Sequence, residues 1–196
     1  MRLIKKLNAE KQKGLKMNYK KIIGLKIFLY FFLLLFLSCT NAFSTELKGK
    51  VARISDGDTF WVRLENGNKI KVRVWEIDTP EKFESKKLFR EANRCEVSVE
   101  EMKRLGKLAS QKAKELLDHN KVVLKGKGRG YYGRFLAEVF LPDGTNYGLE
   151  MIEEGYACVY WKNHNPVYLR ALEKAKKERR GLWSIDYNLM ECLCER

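Results

Sequence analysis

Residues 51–81, VARISDGDTFWVRLENGNKIKVRVWEIDTPE, decide the fold. Two acidic turns, Asp56-Gly57-Asp58-Thr59 and Asp78-Thr79-Pro80-Glu81, bracket a stretch in which apolar and polar residues alternate. A period of two marks half-buried strands. Phe60, Val62 and Leu64 share one face of the outgoing strand, and Ile70, Val72 and Val74 face the same side from the returning one. Lys71, Arg73 and Trp75 therefore point the other way. Asn66-Gly67 supplies the tight turn between the strands, and Pro80 ends the second.

The turns carry hard oxygen donors. Asp58 and Asp78 suit calcium or magnesium better than zinc. Thr79 precedes a proline, which confines it to extended backbone and keeps its carbonyl out of a helix, so that oxygen is a candidate third ligand. Glu81, three residues past Asp78, is placed to orient or deprotonate a water beside a bound cation. Asp56 supports the first turn. Arg73 and, much later, Arg134 are candidate phosphate clamps, because a guanidinium offers two parallel hydrogen bonds and stays charged. Five residues separate Arg73 from Asp78, about 16 Å if extended. The two share one phosphate only if the strand end bends sharply. Each fragment alone is a common turn or a solvated strand residue; the combination carries the reading.

Outward from this hairpin, residues 47–54 read as a preceding strand, and 122–125, 134–141 and 156–161 as later ones. Residues 81–97 are charged and irregular, expected as a long loop. Ser98-Val99-Glu100-Glu101 is a capping box that opens a helix ending near Asn120. Residues 126–130, GKGRG, are expected as a mobile loop. A short helix spans 147–154 and stops at Gly155. A basic helix spans 166–180, with Val167, Leu169, Leu172 and Ala175 facing inward and Gly181 as its stop. Strands first, with helices between and after, give an α+β domain, and five short strands can close as an OB-fold barrel.

The formal charge is +14 over 196 residues, with +8 of it in residues 1–43 and +6 in the remainder. A moderately basic domain suits a polyanionic partner and equally suits plain solubility. Residues 22–37 are nearly all apolar and follow a run of lysines, the pattern of an export signal. Cleavage after Ala42 releases a secreted or periplasmic protein. Phe36-Leu37-Ser38-Cys39 resembles a lipoprotein box, and its use would leave a membrane anchor on Cys39. The folded domain is then 44–185, followed by a tail at 186–196. Cys95, Cys158, Cys192 and Cys194 follow the leader, an even number that permits disulfides in an oxidising compartment. Cys192 and Cys194 are too close to bridge each other comfortably, and a link from Cys95 to the tail is one option. Two histidines, His119 and His164, make a zinc site improbable.

The chain resembles the staphylococcal nuclease (thermonuclease) family over about 47–184. The resemblance rests on DGDT at 56–59, VRVWEIDTPE at 72–81, YGRFLAEVF at 132–140, the Asp143-Gly144 turn before a helix ending in Gly155, and GLWS at 181–184. It implies an OB-fold barrel with three helices. It also implies calcium-dependent hydrolysis of DNA and RNA that leaves 3′-phosphate ends. By position it places Asp58, Asp78 and the Thr79 carbonyl on the metal, and Arg73, Glu81 and Arg134 in catalysis. Tyr132 falls on a phosphate contact, and Trp161 on an aromatic lining the base pocket, with core packing as its alternative. The segment 83–97, which brings Cys95, is longer than the family pattern. No stable protein partner is implied, and a monomer is the default.

Overall fold

The structure, a computed structural model, describes residues 46–195. The export signal and Cys39 lie outside the described residues. Strand β1 (Glu46–Asp56) is long because it must pair on both edges, with β2 (Thr59–Leu64) and with β5 (Lys121–Arg129). Bulges between Val51 and Arg53 and between Ile54 and Asp56 bend it, as extra residues on one strand do. Strand β3 (Lys69–Val74) pairs antiparallel with β2 and parallel with β6 (Phe135–Phe140). The ring β1-β2-β3-β6-β5 closes. This is the OB-fold barrel, filled by the alternate residues that the sequence pattern points inward: Phe60, Val62, Val72, Val74, Leu124 and Val139 are all fully buried. A separate two-stranded sheet pairs β4 (Ile77–Asp78) with β7 (Cys158–Val159).

Several elements depart from the sequence expectation. The stretch 81–97 is not a loop throughout: α1 (Lys86–Arg94) forms there, with the Ser85 hydroxyl accepting from Leu88 N at 3.0 Å. Only Leu88 and Ala92, four residues apart, give it an apolar contact face. They insert into a second core with Met102, Leu105 and Trp183, which a polar nine-residue window does not advertise. Helix α2 (Val99–Leu117) opens on the expected capping box. Residues 126–129 belong to β5 rather than to a mobile loop, because barrel closure offers them a partner in β6. The glycines accommodate the register shift between Gly126 and Gly128. After α3 (Tyr147–Glu153), the expected strand at 156–161 is ordered as a strand only at β7.

Helix α4 (Pro166–Lys177) seats Leu172 and Ala175 inward as expected, but not Val167 and Leu169. Val167 and Leu169 are 44% and 43% exposed, while Tyr168, Ala171 and Ala175 are buried. The phase is set by Tyr168, whose hydroxyl donates to buried Glu76 at 3.1 Å. The tail also folds. After α5 (Leu182–Ile185), α6 (Tyr187–Cys194) buries Leu189, Met190 and Leu193. It is pinned by Cys95–Cys192 and Cys158–Cys194. Six helices thus stand among the described residues where three were expected.

Candidate active site

The demanded bend is present, and a residue that sequence reading passes over makes it. Strand β3 stops at Val74, and Glu76 turns inward, 2% exposed. Its carboxylate accepts from Tyr168 OH at 3.1 Å and Asn146 Nδ2 at 3.4 Å. Its carbonyl accepts from Tyr160 N at 2.8 Å and Asn163 Nδ2 at 3.3 Å. Burial pushes the Glu76 pKa up. This polar anchor folds the chain back on itself between Arg73 and Asp78.

Arg73 spans the bend. Its Nη1 donates to Val74 O at 2.6 Å and Ile77 O at 2.7 Å. Its Nη2 lies 3.0 Å from Asp78 Oδ1 and 3.2 Å from Asp58 Oδ2. Burial opposes the guanidinium charge, but Asp58, Asp78 and Glu81 outweigh it and leave the pKa above its ordinary value. Asp58 is itself fixed, accepting from Thr59 Oγ1 at 2.8 Å and from Thr79 N at 3.2 Å. Gly57 is required beside it, because a Cβ there would meet the Thr79 side chain at 2.8 Å.

A cavity of about 600 Å³ opens over these groups, and Asp58, Asp78, Arg73, Glu81, Arg134 and Trp161 all line it. Arg134 arrives immediately before β6, whose Phe135 pairs with Val72 of β3. Trp161 is 55% exposed, so it is not a core residue. Its ring lies 5.8 Å from that of Tyr160, which in turn lies 5.9 Å from the Arg73 guanidinium. Tyr132 is the exception: at φ 62° on the turn Tyr131–Gly133 it is 91% exposed and does not line the cavity.

Residues 71–185 match the family described as Staphylococcal nuclease homologue. The chain is 32% identical over 171 residues to an uncharacterized endonuclease of Haemophilus influenzae, covering 87% of this chain and 84% of that protein. The chain belongs to the staphylococcal nuclease family. It is accordingly a phosphodiester hydrolase of the nuclease class. An uncharacterized endonuclease of Escherichia coli O157:H7 is 30% identical over 156 residues, 79% of this chain and 89% of that one. Endonuclease YhcR of Bacillus subtilis is 31% identical over 155 residues, where the match covers 74% of this chain but 12% of the larger protein.

This nuclease has two site features with little trace in its sequence. Lys87, on α1, places Nζ 2.8 Å from Asp78 Oδ1 and 2.8 Å from Glu81 Oε1, with Glu91 Oε1 at 4.0 Å. A lysine in a charged segment gives no signal of such a position. Gly106, inside α2, packs on the Glu81 backbone, and a Cβ there would collide with the Glu81 carbonyl. A glycine within an amphipathic helix is a readable hint of close approach.

Among the described residues, no three His, Cys, Asp or Glu side chains gather into a metal site of their own. The residues still fit a hard cation. The carboxylates of Asp58 and Asp78, 6% and 7% exposed, face one nitrogen, Arg73 Nη2, from two sides. Thr79 Oγ1 is buried beside them without a hydrogen-bond partner.

Asp56 also lines the cavity, accepting from Gly57 N at 3.0 Å and Ser110 Oγ at 3.1 Å. Burial, then Asp58 and Glu81, raise its pKa from 3.8 to about 7. The native state therefore holds this proton more tightly than the unfolded chain does. The resulting stability is full below the unfolded value and is lost as pH rises through about 7. With divalent ions chelated, Asp56→Asn keeps the acceptor and will flatten that loss. Melting temperatures between pH 4 and 8 check this, and parallel curves for the two proteins would contradict it.

Proposed function

We propose that the protein is an exported, calcium-dependent nuclease that hydrolyses DNA and RNA with little sequence preference, leaving 3′-phosphate ends. The observation that carries this reading is the Arg73 guanidinium bridging Asp58 and Asp78 on the wall of a cavity that Glu81 and Arg134 also line. Asp58, Asp78 and the Thr79 carbonyl are the groups that would hold calcium. The ion, when bound, would supply positive charge at the scissile phosphate and favour ionisation of a water.

The protein's own groups do the rest. Glu81 orients the attacking water and accepts its proton. Arg73 is held through Nη1 by two backbone carbonyls before substrate arrives, so Nε, and Nη2 once Asp58 and Asp78 turn to the ion, would be positioned for phosphate oxygens. Arg134, immediately before the neighbouring strand β6, supplies a second guanidinium. Donors aimed at charge that develops in the transition state contribute most where they need no reorganisation. Tyr160 and Trp161 offer ring faces on which any base can stack, in keeping with low specificity. Tyr132 lies outside the cavity lining, but its ring is 5.9 Å from the Arg134 guanidinium, close enough to contact the phosphate that Arg134 would hold.

Export is supported by the cysteines: all four in the described domain are paired, which belongs to an oxidising compartment. The mass of the mature N-terminus distinguishes release after Ala42 from a lipid on Cys39. The activity is tested by incubating single-stranded DNA and RNA with the purified protein and calcium. Fragments ending in 3′-phosphate are expected, and a chelator should stop their formation. Cleavage that continues unchanged in excess chelator would refute the calcium assignment.

A further inference from the structure

The outer face of β1, β2 and β3 carries basic and aromatic side chains in cross-strand register, and the catalytic reading uses only its edge. Nearest the cavity, Thr59 pairs with Arg73. One step away, Arg53, Trp61 and Lys71 lie side by side across β1, β2 and β3. The bulge after Val51 is what sets Arg53 opposite Trp61. One step further, Lys121, Lys50, Arg63 and Lys69 form a row across β5, β1, β2 and β3. Directly paired residues share a face of the sheet. All four of this last row are exposed.

Like charges directly opposite one another destabilise a strand pair. Here four stand in a line, and none makes an ion pair among the described residues. Other lysines of the barrel are matched, Lys48 with Glu46 and Lys127 with Glu138. Lys50, Arg63 and Lys121 also line a groove of about 420 Å³, in which Glu65 is the single acidic lining residue. An uncompensated cationic row beside a half-buried tryptophan is suited to a chain of regularly spaced anions that carries flat rings.

We propose that this face is a binding track for single-stranded nucleic acid, continuous with the active site, that holds the strand several nucleotides away from the bond being cut. The inference rests on the nuclease reading and names its substrate form. Along β3, Arg73, Lys71 and Lys69 point to the same side, covering about 13 Å. From Lys69 to Lys121 the row crosses three strand spacings, about 14 Å. A path of this length falls within the site sizes of about 4–16 nucleotides that OB-folds cover. The four cations of the row neutralise phosphates, and Trp61 stacks on a base whatever its identity. A strand held beyond the cavity presents an internal bond for cleavage.

The test compares the wild type with a variant carrying Lys50→Gln, Arg63→Gln, Lys69→Gln and Lys121→Gln. Binding of a fluorescent twenty-nucleotide oligothymidylate is titrated in chelator across a salt series. A trinucleotide, too short to reach the row, is the second ligand. Hydrolysis of a nitrophenyl phosphodiester with calcium reports the reaction centre alone. The variant should bind the long strand at least tenfold more weakly at low salt. Its slope of log affinity against log salt should be flatter by about 3, at roughly 0.7 per phosphate released. Trinucleotide affinity, nitrophenyl ester turnover and melting temperature should stay at the wild-type level. Equal losses for the long and short ligands, or no loss for either, would overturn the track. So would a loss seen with duplex DNA alone. A wild type that fails to turn over the nitrophenyl ester in calcium would instead overturn the nuclease reading beneath it.

Discussion

Arg73→Ala will lower calcium-supported hydrolysis of single-stranded DNA by about 10²–10³-fold or more, the scale of losing a preorganised donor to a developing oxyanion. The same change will destabilise the protein when calcium is absent. Arg73 holds Asp58 and Asp78 together at 3.2 and 3.0 Å, and breaking a buried ion pair from one side costs about 3–5 kcal/mol. Calcium, binding the two released carboxylates, will restore much of the melting temperature and none of the turnover. Arg73→Lys will not rescue activity, because an ammonium cannot replace a planar fork that bonds Val74 O, Ile77 O and Asp78 at once. Single-turnover kinetics and thermal melts with and without calcium measure both effects. Near-normal turnover in Arg73→Ala would remove the clamp from the mechanism.

Lys87→Met will bind calcium more tightly than the wild type, by about tenfold or more. The Lys87 ammonium touches Asp78 and Glu81 at 2.8 Å each. Like charges about 4 Å apart repel by roughly 4 kcal/mol at an effective dielectric of 20, so an entering cation must displace this one. Arg73 cannot yield in its place, since two backbone carbonyls hold it. Lys87 can, because Glu91 waits one helical turn along at 4.0 Å. Glu91→Gln will therefore weaken calcium binding in the wild-type background and have little effect in the Lys87→Met background, a coupling that a double-mutant cycle isolates. Calorimetric titration gives the affinities. Equal calcium affinity in wild type and Lys87→Met would show that the lysine does not compete.

What the sequence makes legible is local and periodic. The alternation from Thr59 to Val74 gives the hairpin and the inward faces, and Asn66-Gly67 gives its turn. The capping box at Ser98 gives the start of α2. Asp58 and Asp78 are readable because each sits in a short acidic turn. What stays hidden depends on partners distant in the chain. Glu76 looks like a solvated strand residue until Tyr168, 92 positions later, bonds it. That same bond fixes the first turns of α4, where hydropathy alone turns Val167 and Leu169 inward instead of Tyr168 and Ala171. The glycines of β5 read as a loop because barrel closure lies beyond any local window. The helix of the tail leaves no local signal because it is pinned by cysteine partners 97 and 36 residues away. Lys87 is the clearest case: a nine-residue polar helix buries Leu88 and Ala92 and thereby delivers one ammonium to the carboxylates.

The central claim is that Asp58 and Asp78 hold the cation on which hydrolysis depends. Cleavage of single-stranded DNA as a function of free calcium, in the wild type and in Asp78→Asn, tests it most directly. The account predicts saturable activation of the wild type. For Asp78→Asn it predicts activity at least a hundredfold lower at the same calcium, with the curve displaced to higher concentration. Superimposable curves for the two proteins would contradict it.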